Sequence, residues 1–110
     1  MCFRQDATPI IILISDSPTH NGPGNSSPYS GVSPTPHTYS QAITALGDID
    51  AHVLVINTSP VATTYPEMSQ LATDTGGVDD DGNPIVLLIN PADRTATGEA
   101  IVDIIKSYCF

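Results

Sequence analysis

Three apolar, β-branched runs alternating with three helical patterns predict an α/β domain built on a parallel sheet. The runs lack the in–out alternation of a half-solvated strand and read as strands covered on both faces. Right-handed crossovers between them would lay the helices on the faces of that sheet.

The first run is Pro9-Ile10-Ile11-Ile12-Leu13-Ile14-Ser15. After it comes a stretch from Ser17 to His37 rich in Pro, Gly, Ser and Asn, which reads as a long flexible loop. A loop of that length without secondary structure of its own is unusual in a small domain and is usually functional or mobile. It leaves a strand end, so it is expected at the carboxyl edge, where open α/β sheets bind ligands. The pattern over Thr38 to Leu46 predicts a helix with Ile43 and Leu46 on one stripe and Gly47 as its stop signal. Ala51-His52-Val53-Leu54-Val55-Ile56-Asn57 is the second strand. Pro66 to Thr75 is the second helix, with Pro in the first turn and Glu67 near the positive helix end. It groups Met68, Leu71 and Ala72, and Gly76-Gly77 closes it. Pro84-Ile85-Val86-Leu87-Leu88-Ile89-Asn90 is the third strand, with Pro at its first position, where it removes no interior ladder bond. Thr95 to Tyr108 forms the last helix, with Ile101, Ile104 and Ile105 on one face and Lys106 suited to the dipole.

At 110 residues the chain is one domain or a piece of one. Its 40% hydrophobic and 14% charged composition belongs to a globular protein and not to a disordered one. Three basic residues against twelve acidic ones give a formal net charge of -9, which disfavours nucleic acid and anionic membrane surfaces and eases cation binding. No apolar run approaches the ~18 residues of a spanning helix, so membrane insertion is not expected. The first residues lack the basic flank and apolar stretch of an export signal. Cys2 and Cys109 sit almost at opposite ends and allow two readings, free thiols or a terminal disulfide. The second would contribute about 4–5 kcal/mol in the chain-entropy model.

Asp16 is the most informative polar position, because it leaves the most hydrophobic strand between Ser15 and Ser17, with His20 beyond. A carboxylate and two hydroxyls at a strand end can offer hard oxygens to a divalent cation. The competing reading is a turn in which Asp16 satisfies backbone N–H groups. Asp79-Asp80-Asp81-Gly82-Asn83 resembles a calcium loop only in composition; its spacing and missing terminal Glu favour a solvated acidic turn. His20, His37 and His52 show no metal-ligand spacing. His52 opens a strand and reads as structural, whereas His20 and His37 flank the long loop and are free to meet. The chain contains no Gly-x-Ser-x-Gly elbow and no glycine-rich phosphate loop after a strand.

Ile-Ile-Leu-Ile-Ser-Asp-Ser-Pro-Thr-His, residues 11 to 20, resembles the fourth strand of von Willebrand factor A-type domains and the turn after it. The Asp-Ser-Pro-x-His continuation is similar to integrin-β-like and bacterial secreted members. Tyr39 to Leu46, His52 to Asn57 and Leu71-Ala72-Thr73-Asp74-Thr75-Gly76-Gly77 resemble the family's next helix, next strand and following helix end, and Thr95 to Tyr108 fits its closing helix. The resemblance covers roughly residues 9 to 108 in order. It implies part of a three-layer, Rossmann-like doubly wound fold, the carboxyl-terminal half of the domain, with about three strands and three helices here. It implies a non-enzymatic adhesion or protein-binding module, often extracellular or secreted. It also implies a metal-ion-dependent adhesion site in which Asp16, with Ser15 and Ser17, helps hold Mg²⁺ or another divalent cation. The family's Asp-x-Ser-x-Ser segment is not present, so that site is incomplete in this chain. In that topology the first strand is a bare hydrophobic edge, open to a protein ligand, another chain or self-association. Two other readings stand beside this one: a small α/β hydrolase using Asp16 and His20, or a domain fragment without autonomous function.

Overall fold

The computed structural model describes residues 4, 6–20, 22, 28–29, 31–59, 65–90 and 92–109; for 94, 107 and 109 only the backbone is described. The Cys2–Cys109 question lies outside the described residues. Six elements alternate along the chain: β1 (Ile10–Ser15), α1 (Tyr39–Gly47), β2 (His52–Asn57), α2 (Pro66–Asp74), β3 (Val86–Leu88) and α3 (Arg94–Cys109). The strands form one parallel sheet in the order β1-β2-β3. The α/β class expected from the sequence is therefore observed.

Register follows from the apolar runs. Ile10 aligns with His52 and Ser15 with Asn57, so β1 and β2 start and stop together. Val55 aligns with Val86 and Asn57 with Leu88, so β3 covers only the later half of β2. The third run expected from Pro84 to Asn90 is thus shortened to Val86–Leu88. Pro84 has no N–H to donate and instead forms an antiparallel bridge with Val78. Ile85 still takes part, its carbonyl accepting from Val55 N–H at 3.0 Å.

Alternate β2 residues enter two different clusters. Val53 and Val55 pack with Met68 and Ala72 of α2, joined by Leu46 of α1, whereas Leu54 and Ile56 pack with Ile104 of α3. Leu54, Ile56 and Met68 are fully buried, and each such side chain stabilises by about 1.5–3 kcal/mol relative to exposure. β2 is therefore the strand covered on both sides. β1 has the more hydrophobic sequence yet is only half-buried, with Ile14 49% exposed, because it lies at the sheet edge.

The helix ends correct the expected boundaries at particular residues. Thr38 caps α1 in a capping box: its hydroxyl accepts from Gln41 N–H at 3.2 Å and the Gln41 side chain accepts from Thr38 N–H at 2.9 Å. α1 ends at Gly47, as expected, but Gly47 does not take the left-handed conformation that commonly closes a helix. The chain turns through Asp48 to Asp50, and Asp50 takes the left-handed conformation at φ 52°. In α3, Ile101 and Ile104 pack inward but Ile105 is 39% exposed. Tyr108 takes the inward place instead, as the i, i+3, i+7 stripe through Ile101 and Ile104 requires. The Asp93 carboxylate accepts from Ala96 N–H at 2.9 Å and caps this helix.

Candidate functional site

All three strand-bearing runs end in the same local device. Ser17 N–H donates to the Ser15 hydroxyl oxygen at 3.2 Å, Ser59 N–H to the Asn57 carboxamide oxygen at 2.9 Å, and Ala92 N–H to the Asn90 carboxamide oxygen at 3.0 Å. Each is a side chain capturing the backbone two residues ahead, which turns the chain out of the sheet. Ser15 and Asn57 are register partners, and the Asn57 carbonyl accepts from Ile89 N–H at 2.9 Å, so the breaks line up along one carboxyl edge.

Asp16 stands exposed at this edge, as the sequence suggested. Its carboxylate accepts from the Ser17 hydroxyl at 3.1 Å, while the Ser15 hydroxyl also donates to the Ser17 carbonyl at 2.9 Å. The triplet is joined by short-range bonds, but it is the Ser15 hydroxyl, and not the Asp16 carboxylate of the competing turn reading, that accepts the backbone N–H. Below it lies a polar layer that sequence reasoning missed. Ser59 is 3% exposed, its hydroxyl lies 3.4 Å from the Tyr65 hydroxyl, and Tyr65 donates to the Asp16 carbonyl at 3.4 Å. The available signal was Asn57, a polar residue closing an otherwise apolar run and fully buried in the fold.

A divalent cation seeks about six or more oxygens. Here Asp16 supplies one carboxylate, and the hydroxyls of Ser15 and Ser17 are already engaged. Among the described residues, no three His, Cys, Asp or Glu side chains gather to hold a metal ion. The donor set of this edge does not by itself fit a complete cation site.

The acidic turn is built inward. Asp79 accepts from the N–H groups of Asp81 at 3.0 Å and Asn83 at 2.8 Å, and from the Asn83 side-chain amide at 3.2 Å. The Asn83 backbone bond first, then its side-chain amide, hold the Asp79 carboxyl below the usual carboxylate range. These bonds close the segment on itself as an exposed turn.

Thr75-Gly76-Gly77 ties α2 to the amino end of β2. The Thr75 hydroxyl accepts from Val53 N–H at 3.0 Å and donates to the Leu71 carbonyl at 2.8 Å. Gly76 takes φ 74°, and a Cβ on Gly77 would overlap the Val53 carbonyl oxygen. His52, at the start of β2, meets Tyr108 edge-on at 5.5 Å between ring centroids and lies 3.8 Å from an Asp50 carboxylate oxygen. Its Nδ1 is buried and has no hydrogen-bond partner among the described residues.

His20 and His37 do come to one place. Both line a hollow of about 180 Å³ between the post-β1 loop and helices α1 and α2. His20 stacks on Tyr29 with centroids 4.4 Å apart and planes inclined by 29°.

Among the described residues, no helix is long and apolar enough to cross a membrane. Comparison with protein-family models, with curated proteins and with solved structures returns no match to this chain.

Proposed function

We propose that the chain is a non-enzymatic protein-binding module of the von Willebrand factor A type, contributing the carboxyl-terminal half of a three-layer, doubly wound domain. The observation that carries this reading is the parallel order β1-β2-β3 with Ser15-Asp16 leaving the first strand at the shared carboxyl edge. The placement of Thr75-Gly76-Gly77 at the end of α2 agrees with it. In this reading Asp16 is one corner of a divalent-cation site, and the other ligands come from groups that join it at the edge. β1 pairs on one side only among the described residues, so its outer N–H and C=O groups are where an added strand of another chain would dock.

The test is a titration of the chain with Mn²⁺, followed by paramagnetic broadening of amide signals. Broadening centred on Ser15, Asp16 and Ser17, weak in affinity because the ligand set is partial, and lost in Asp16→Ala, is the expected result. Broadening centred on Asp79 to Asp81 and unaffected by Asp16→Ala would overturn the assignment of Asp16.

A further inference from the structure

The hollow beside α1 is unusual in what lines it. Four aromatic residues, His20, Tyr29, His37 and Tyr39, line it with Ala42 and Leu71, and Thr19 and Thr38 add hydroxyl-bearing side chains. These residues come from the post-β1 loop, α1 and α2, so the cluster exists only in the folded chain. Gly22, at φ 72°, lies so near the start of α1 that a Cβ would overlap the His37 carbonyl oxygen.

A charged group lies one hydrogen bond behind the lining. The Tyr39 hydroxyl donates to the Asp74 carboxylate at 2.9 Å, linking the start of α1 to the end of α2. Burial first, then the Asp74 carboxylate, push the Tyr39 phenol above its usual range, so it remains a neutral donor. Donation to a carboxylate leaves the phenol ring richer in electrons, and the face of such a ring attracts cations. Asp74 adds a full negative charge beside it, in a chain whose formal net charge is -9. Aromatic side chains, mostly apolar walls and a carboxylate bonded to one of the lining residues are the chemistry that recognises a methylated ammonium group. The volume is well below the ~300 Å³ at which pockets for drug-sized ligands begin, and so suits a compact headgroup.

We propose that this hollow binds a small organic cation of the quaternary ammonium class, held against the side chains of Tyr29 and Tyr39 and balanced by Asp74 behind Tyr39. The proposal stands on a different part of the molecule from Asp16 and does not depend on the family reading.

Choline is the probe, titrated into the whole chain at low salt and followed by amide shifts and calorimetry. Its neutral isostere 3,3-dimethyl-1-butanol is the control. Choline should bind at least about tenfold more tightly than the isostere, and Tyr29→Ala should weaken it by roughly the same factor. Tyr29 is 49% exposed, so this variant should fold; its circular dichroism checks that. Tyr39→Phe, which keeps the ring and removes the bond to Asp74, should cost a few-fold. Equal binding of choline and the isostere would overturn the proposal, as would choline binding that survives Tyr29→Ala. Tighter binding of a trimethyllysine peptide than of choline would overturn the assignment to a small free ligand.

Discussion

The two ends of the sheet are finished in opposite ways. At the amino end of β2 the backbone is satisfied from far along the chain: Val53 N–H bonds to the hydroxyl of Thr75, twenty-two residues away. At the carboxyl end the strand exits are satisfied from two residues away, at Ser15–Ser17, Asn57–Ser59 and Asn90–Ala92. A long-range bond fixes one element against another and cannot be altered without moving both. A short-range turn leans less on the rest of the fold, even with Tyr65 reaching the Asp16 carbonyl, so the loops beyond it have more freedom to change. That asymmetry gives a physical reason for ligand chemistry to gather at the carboxyl edge and for stability to reside at the other.

The comparison can be broken most decisively at Gly77. Gly77→Ala puts a Cβ into the Val53 carbonyl oxygen, a backbone group that cannot swing aside. We expect a loss of about 4 kcal/mol or more, seen as an unfolded or molten circular dichroism spectrum. A cooperative urea transition near that of the parent would show that the α2–β2 junction is not rigid.

The next effect is smaller. Thr75→Val keeps the shape of the side chain but leaves Val53 N–H without its acceptor, and Val53 is only 3% exposed. Urea unfolding should report a cost of about 1–3 kcal/mol. A smaller cost would mean that water replaces the hydroxyl.

Ser15→Ala gives the smallest change and sharpens the other half of the comparison. The Ser17 N–H that it deprives lies in an exposed turn, where water is available. The midpoint of urea unfolding should move by no more than about 0.5 kcal/mol in stability. A loss as large as that of Thr75→Val would mean that the carboxyl edge is structural too.

Much of this architecture was legible beforehand. The three helices came within a residue or so of their expected ends, because Thr38, Pro66 and the apolar stripes act within a turn or two of themselves. Asp16 was legible for the same reason, as a carboxylate ending an apolar run. The errors fall where a residue's role is set by something distant. Gly47 does end α1, yet the left-handed residue that turns the chain is Asp50, three residues on, where Ala51 N–H reaches the Leu46 carbonyl at 2.9 Å. Ile105 reads as core, but α3 is rolled so that Tyr108 covers Ile56's side of the sheet.

By itself the sequence determined the alternation of strands and helices, the polar residue at each strand exit and the surplus of negative charge. All of these depend on residues near one another in the chain, or on simple counting. The tertiary structure alone decided which strand is central. β1 is the more apolar of the two, yet the sheet order places Val53 to Ile56 of β2 between two clusters and leaves Ile14 49% exposed. It alone brought Ser59 and Tyr65 beneath Asp16, and His20, Tyr29, His37 and Tyr39 around one hollow. Such groupings are long-range contacts, and no local pattern of residues encodes them.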